Sequence, residues 1–484
     1  MKLSIETVNA ILKKNWNIDK LKDKQLELLT GFLENKDVIG LLPTGYGKSL
    51  CYLLPPLITN KVIFIISPLI SLMEDQKEKL INMDIPVACL HGNNPNKQNE
   101  IFSIIDGDIN IVYMSPEYMI SGDGFELADV LMKENKLGFF AVDESHCIST
   151  WGHDFREDYT KLSRFRQNYP TIPIMALTAT ATNNVMLDII NQLKLNEPIL
   201  VIANFDRPNI YMKCKTIKKF EYEMLEEYIQ KYEGHKMIIY MNSKKETVEL
   251  SKKINKKYTN LSDAYHAGMM KQARNKIQMK FYSGKINIIV STVAFGMGID
   301  QTVRCVIIVG SPKSVEEYYQ MIGRAGRDNE AAESIIFFQY KAIIISKSML
   351  KKSGMETNIV NSKINCLNKM SRYINTNICR RRFILEYFGQ VTRFFWCEYC
   401  DNCCEGKLVN LTDKMMDILF NKKKYDILTQ TEIASAIASD LIVERTGNYY
   451  PTNSLTEWKQ KIETNKYKIK GIPNRYKLMC KIVN

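Results

Sequence analysis

Four near-continuous apolar runs recur through the first part of the chain, at 62–67, 110–115, 137–144 and 172–178. Runs that are apolar without alternation read as strands buried on both faces, the signature of a parallel sheet wrapped by helices. The intervals between them leave room for helices. An earlier helix and strand are expected within 20–44, with the strand at 37–42. A Gly-rich turn at 43–49 then opens an apolar helix over 50–57. The turn-rich string Asn204-Phe205-Asp206-Arg207-Pro208-Asn209 interrupts this pattern. It restarts with strands at 237–242, 286–292, 304–310 and 334–339, a helix from Lys244 and a helix over 315–324. The chain reads as two parallel α/β units in succession.

Each strand of the first unit ends in a small polar cluster: Ser67-Pro68, Ser115-Pro116, Asp143-Glu144-Ser145-His146 and Thr178-Ala179-Thr180. Ligands of such sheets bind beyond the carboxyl ends of the strands, so these clusters share one rim. The turn Pro43-Thr44-Gly45-Tyr46-Gly47-Lys48-Ser49 belongs to the same rim. Strand, Gly-rich turn, Lys-Ser and helix form the context of a phosphate-binding loop. In that reading backbone N–H groups of Thr44, Gly45 and Gly47 converge on phosphate oxygens, Lys48 reaches the terminal phosphates and Ser49 ligates Mg²⁺. Leu42 stands where the general pattern has its first Gly. The plain alternative is an ordinary turn with a surface lysine.

The second unit carries no phosphate loop, which suggests a nucleotide clamped between two lobes. Its string from Gln320 to Asp328 places Arg324 and Arg327 among glycines, and 291–300 is a Gly-rich strand end closing on Asp300. Arginines reaching across a cleft neutralise charge on a transferring phosphoryl group. Alone, the pair would read as surface arginines near a helix end. Between these parts lies the stretch 140–159, a strand that ends on Asp143 and Glu144 and runs into a loop with His146, Trp151, His153, Phe155 and Arg156. The loop reads as an aromatic contact surface for nucleotides. Its plain alternative is anchoring in the core.

Composition narrows the class. At 484 residues the chain exceeds one ordinary core, so three domains or more are expected. A 45% hydrophobic and 25% charged composition is that of a folded protein. The net charge of +13 suits a polyanionic partner, or simply a solvated basic surface. The uncharged stretch 286–299 falls short of the roughly 18 apolar residues of a membrane span, and the lysine-rich start lacks a signal-peptide core, so no membrane association or secretion is expected. Five of twelve cysteines crowd into 379–404, which favours a metal in a reducing compartment. Cys379, Cys397, Cys400 and Cys403 suit a closed, structural, tetrahedral Zn²⁺, with Cys379 on a predicted helix and Cys404 a spare thiol. Arg380, Arg381, Arg382 and Arg393 make this module basic, either for phosphate contact or as a solvated face. Residues 407–484 contribute +6, with helices expected at 412–420 and 431–439.

Together these residues resemble a helicase of the second large superfamily, and the RecQ family in particular. GLLPTGYGKSLCYLLP, SPLISLMEDQ, YMSPE, AVDESHCISTWGHDF, ALTATAT, FDRPNIYM, MIIYMNSKKE with AYHAGM, STVAFGMGID and YYQMIGRAGRD are similar to that family's motifs in order, and CRR…YFG…C-x-x-C-x-x-C resembles its zinc module. The resemblance spans roughly 20–404. It implies an α/β fold of two RecA-like lobes (1–205 and 206–340), a helical zinc-binding subdomain (341–406) and a basic, reduced winged helix (407–484), with 429–439 as a recognition helix. The further small helical domain that relatives often carry is expected to be absent.

The implied function is an ATP-dependent 3′–5′ DNA helicase in repair, recombination or replication. The implied cofactors are ATP, Mg²⁺ and structural Zn²⁺. Lys48, Ser49 and Asp143 would hold phosphates and Mg²⁺, Glu144 would be the general base, and Arg324 and Arg327 would stabilise the transition state. His146, Thr178, Thr180 and Gln320 would relay between nucleotide and nucleic acid, while Trp151, His153, Phe155 and Arg156 sense single-stranded DNA. Asp300 joins the nucleotide-binding set. Gln25 carries over as the adenine reader, but Lys22 replaces the family's Arg and Ile18 its stacking aromatic, with Trp16 a substitute nearby. Motif II reads Asp-Glu-Ser-His, with Ser145 in place of Ala. Expected partners are single-stranded and branched duplex DNA, and a single-strand-binding protein or other repair and replication factors. The expected state is a monomer, intracellular wherever its DNA lies. The alternatives weighed are an RNA helicase or RNA-stimulated ATPase, and a non-catalytic annealing or scaffold protein, which the intact Lys48, Asp143, Glu144 and Arg327 oppose.

Overall fold

The structure, a computed structural model, describes residues 4–150, 154–295, 301–394 and 396–404, and the backbone of strands Ile442–Arg445 and Asn448–Pro451. The expectations placed on Trp151, His153 and Asp300, and on the helices at 412–420, 429–439 and 431–439, lie outside the described residues.

The first lobe is a seven-stranded sheet of β1 (Val38–Leu41), β2 (Val62–Ile66), β3 (Val87–Leu90), β4 (Ile111–Met114), β5 (Leu137–Val142), β6 (Ile174–Thr178) and β7 (Ile199–Ile202). The spatial order is β3-β4-β2-β5-β6-β1-β7, and each pairing is parallel. The second lobe is a six-stranded sheet of β8 (Ile210–Thr216), β9 (Met237–Tyr240), β10 (Ser262–Tyr265), β11 (Ile288–Ser291), β12 (Cys305–Val309) and β13 (Ala332–Phe338). Its order is β10-β11-β9-β12-β13-β8, again parallel throughout.

Both sheets are covered on two faces, which is why their central strands are apolar without alternation. Along β2, Val62, Phe64 and Ile66 enter one core while Ile63 and Ile65 enter another. In β9, Ile238 and Tyr240 share the first of these cores, while Met237 and Ile239 belong to a third. The shared core continues into the zinc module through Tyr373, Phe388 and the cysteines.

Three expected boundaries shift. The strand expected to end on the carboxylates stops at Val142, and Glu144 adopts a left-handed backbone (φ 47°) just beyond it. The helix expected over 315–324 is Val315–Ile322, so Arg324 and Arg327 lie on the following loop. Cys379 is not inside a helix. It is the N-cap of Arg380–Tyr387, and its Sγ accepts the Arg382 N–H at 3.5 Å.

The zinc module is welded to the second lobe. Met212 of β8 bridges Cys400, and the Cys214 N–H donates to Asp401 at 2.8 Å. Arg380 is buried in an ion pair with Asp401, Arg381 pairs with Asp206 and Arg382 with Glu386. These three arginines are therefore engaged in ion pairs within the fold. The module also reaches the connection between lobes: Phe388 stacks on Phe205 at 4.8 Å between centroids, and Gln390 accepts from the Phe205 N–H and donates to Ala203, both at 3.0 Å. Beyond it, Ile442–Arg445 and Asn448–Pro451 form an antiparallel pair.

Candidate active site and zinc centre

The turn after β1 is a phosphate-binding loop in form. Gly45 and Gly47 hold φ of 82° and 91°, which L side chains rarely adopt, and Gly47 caps the helix Lys48–Thr59. The first residues of that helix, Lys48, Ser49 and Leu50, line the cavity, so its positive dipole end lies there. Behind the loop, Gln25 is 3% exposed and donates to the carbonyls of Tyr46 and Gly47.

Across the rim, Lys48 Nζ stands 3.3 Å from Glu144 Oε1, and His146 Nδ1 is 3.3 Å from Glu144 Oε2. Asp143 is oriented by its Oδ1, which accepts the Glu144 N–H at 2.9 Å, and by Tyr52 OH at 3.5 Å from Oδ2. Burial first, and the neighbouring Glu144 second, push the Asp143 carboxyl up to about 6, against the pull of Lys48. Tyr159 OH donates to the Asp143 carbonyl at 3.2 Å.

The expected relay residues are in hydrogen-bond reach of each other. His146 Nδ1 lies 2.9 Å from Thr178 Oγ1, which accepts from the Thr180 N–H at 3.1 Å. Thr180 Oγ1 then accepts from Gln320 Nε2 of the second lobe at 3.3 Å. A line of contacts therefore runs from Glu144 across the lobe boundary.

Arg324 and Arg327 approach from the second lobe. Arg324 is buried, and burial together with Arg327 pulls its guanidinium down to about 10. The stem of Arg327 lies against Gly45, where an added Cβ would be 3.5 Å from its Cγ. A Cβ on Gly323 would fall 2.8 Å from the Thr44 Cβ, so the lobes touch at this point and glycine permits it. Two residues not singled out from the sequence hold this loop. Arg207 Nη2 donates to the Ala325 and Gly326 carbonyls at 2.6 and 3.0 Å, and Asn209 Nδ2 to those of Gly326 and Glu330 at 2.8 and 2.9 Å. The clue was their place in the turn-rich break, which reads as a linker until the loop is seen beside it.

Thr44, Gly45, Gly47, Lys48, Ser49, Asp143 and Glu144 from the first lobe, and Gln320, Arg324 and Arg327 from the second, line one cavity of about 330 Å³. Phe155 and Arg156 stand apart from it. Phe155 is half-buried, and Arg156 Nη1 donates to the Pro68 carbonyl at 2.5 Å, tying this loop to the end of β2.

Cys379, Cys397, Cys400 and Cys403 bring their Sγ atoms within 4.8 Å of one another, and Cys397 and Cys403 are 3.8 Å apart. Four thiolates at the Zn–S distance of about 2.3 Å in a tetrahedron stand about 3.8 Å apart, so the cluster fits zinc. Cys404 turns away, with its Sγ 3.2 Å from the Glu398 carbonyl.

The two parallel-sheet lobes thus meet at one cavity, lined by a phosphate-loop-type turn and an acidic pair from one lobe and by arginines from the other. Residues 22–188 match the DEAD/DEAH box helicase family, 220–329 the helicase conserved C-terminal domain and 340–404 the RecQ zinc-binding family. The chain belongs to the RecQ family of helicases. It is 38% identical over 403 residues to a protein of Acanthamoeba polyphaga mimivirus provisionally named an ATP-dependent RNA helicase, covering 82% of this chain and 72% of that protein. It is 35% identical over 403 residues to the ATP-dependent DNA helicase RecQ of Haemophilus influenzae, covering 82% of this chain and 64% of that one. Across curated relatives the chain spans from 29% to 72% of their length. In fold it is similar to the DUF1998 helicase MrfA bound to DNA (TM-score 0.58, 16% identity, 93% of this chain and 62% of that one). Among the described residues no helix is long and apolar enough to cross a membrane.

Proposed function

We propose that the protein is an ATP-dependent DNA helicase that couples hydrolysis to movement along single-stranded DNA and to opening of duplex or branched DNA. The observation that carries this reading is the single cavity in which phosphate-loop and acidic residues of one lobe meet arginines of the other. In it Lys48 holds the terminal phosphates and Glu144 takes the proton of the attacking water. Arg324 and Arg327 offset charge on the transferring phosphoryl group. Ser49 and Asp143 are the pair that would hold Mg²⁺. A buried carboxylate raised toward neutrality beside a second carboxylate is a fitting partner for a divalent cation. Bound there, the ion would screen the phosphate charge.

The line Glu144–His146–Thr178–Thr180–Gln320 supports coupling between the nucleotide and the strand. Movement from 3′ to 5′ is carried over from the family, as are the single-strand-binding and repair or replication partners. The test is ATP hydrolysis with and without single-stranded DNA, followed by unwinding of fork, flap and gapped duplexes of each polarity. Trp151→Ala should keep basal hydrolysis and lose its stimulation by DNA. Equal hydrolysis with and without DNA would sink the reading. A second reading, an RNA-stimulated enzyme, is favoured by the name of the mimivirus relative. Competition between matched DNA and RNA strands for stimulation separates the two.

A further inference from the structure

A second cluster of metal-ligating side chains lies wholly within the first lobe, outside the nucleotide cavity. Cys89 belongs to β3 and His91 stands just past its end, two residues on. Both turn to the side covered by the helix Ile70–Ile81, which packs on β3 through Met73 and Leu80 and carries Glu74. One ligand atom each from Glu74, Cys89 and His91 lies within 4.8 Å of the other two. Cys89 and His91 are buried, and Glu74 is part exposed.

The surroundings hold the three in place. The Cys89 N–H donates to Glu100 Oε2 at 2.7 Å, and Lys77 Nζ donates to Glu100 Oε1 at 2.5 Å, so the helix Lys97–Asp106 is tied to β3 and to the helix Ile70–Ile81. His91 Nε2 lies 2.9 Å from Glu74 Oε1, and its Nδ1 accepts the Asn93 N–H at 3.3 Å. The ring therefore carries its proton on Nε2 and shares it with Glu74. Glu74 Oε2 faces Lys271 of the second lobe at 3.9 Å.

Imidazole nitrogen, thiolate sulfur and carboxylate oxygen are all zinc ligands, and three of them with one open position make a complete protein contribution to a tetrahedral site. With Zn–N and Zn–O distances of about 2.0–2.2 Å, those two atoms stand about 3.4 Å apart. The His91 and Glu74 atoms, now at 2.9 Å, would part by about 0.5 Å. Binding takes the Nε2 lone pair, so the ring proton moves to Nδ1 and the contact from the Asn93 N–H is given up. That contact is long and lies on an exposed turn. The Cys89 thiol releases its proton to solvent.

We propose that Glu74, Cys89 and His91 form a second zinc-class site with water in its fourth position. With one thiolate instead of four, it binds more weakly than the cysteine cluster and fills when metal is added. The same helix turns Leu72, Gln76 and Lys79 to the nucleotide cavity, so the ion sits behind an element of the active site. The test takes the full chain, its cysteine cluster loaded with zinc, and titrates it with Co²⁺ without oxygen. One further Co²⁺ should bind and give a thiolate-to-cobalt absorption band that added Zn²⁺ removes. Cys89→Ser should abolish the band, and Glu74→Gln and His91→Ala should each weaken binding by about tenfold or more. Cys404→Ser should leave both unchanged. No Co²⁺ bound beyond the cluster overturns the proposal and leaves a hydrogen-bonded trio. A band that survives Cys89→Ser, or is lost with Cys404→Ser, overturns it too. Tm without added metal separates lost binding from lost fold. Should Cys89→Ser fail to fold, Glu74→Gln at its part-exposed position decides by the same tenfold criterion.

Discussion

Glu144 occupies a backbone conformation that few side chains tolerate, with φ 47° and ψ 44°. Such a residue costs about 1–3 kcal/mol and persists where its surroundings over-determine it. Here the surroundings are Lys48 on one carboxylate oxygen and His146 near the other. The strain therefore sets a carboxylate between the Lys48 ammonium and the His146 ring. Glu144→Gln keeps the shape and removes the proton acceptor. Its expected result is unchanged nucleotide affinity and a DNA-stimulated kcat lowered by about 10²–10⁴-fold, read by steady-state hydrolysis beside equilibrium binding. Arg327→Ala should lower kcat by about 10³-fold or more, since it removes charge stabilisation made in the transition state. Retained turnover in either variant would remove that residue from its assigned role.

The loop after the helix Val315–Ile322 shows how one element positions two arginines without regular structure of its own. Arg207 and Asn209 pin three of its carbonyls, and Gly326, at φ 54°, leaves room for the Asn209 amide 2.4 Å from where a Cβ would stand. Asn209→Ala leaves the Gly326 and Glu330 carbonyls without that donor. A stability loss of about 1 kcal/mol is expected in urea unfolding. Displacement of the arginines should lower kcat by about 10–100-fold while KM changes little. If KM rises with kcat unchanged, Asn209 serves binding instead.

The same scale shows what the sequence revealed. The central strands were legible because burial on both faces leaves an unbroken apolar run. The unanticipated strands are β3, β7, β8 and β10, and these are the four sheet edges. Edges pack on fewer neighbours, so β10 can be Ser-Asp-Ala-Tyr and β7 half exposed. The phosphate loop, acidic pair and cysteines were legible because their chemistry needs fixed residue types at fixed spacing. Arg207 and Asn209 were not, because their partners lie more than 110 residues away and are backbone carbonyls, which carry no residue signature. Gln25 was legible in place but not in orientation. Sequence names the amide without saying which way it donates.

At the scale of the molecule, the zinc cluster is part of the second lobe's framework. Met212 bridges Cys400, and Asp401 joins Arg380 to the Cys214 N–H, so the cysteine cluster borders a seam that also contains an edge strand. Structural zinc sites of this kind contribute folding free energy outright. The protein should bind a single zinc equivalent with all four thiolates. Prolonged treatment with a strong chelator should lower Tm and release that zinc in parallel with loss of DNA-stimulated hydrolysis. Zinc release with Tm unchanged would show the module to be an appendage.

The stacking of Phe388 on Phe205, and the grip of Gln390 on the backbone at both Ala203 and Phe205, have a mechanical consequence. Among the described residues the chain passes from the first lobe to the second at this connection, which would be the axle if the jaws turn on it. The zinc module would then be the bearing in which the axle runs. A looser bearing should let the jaws wobble without weakening either one's hold on its ligand. Phe388→Ala is therefore expected to spend more ATP per base pair opened, with hydrolysis nearly intact and unwinding slowed. Unwinding and hydrolysis falling in step would show that the axle turns freely of its bearing.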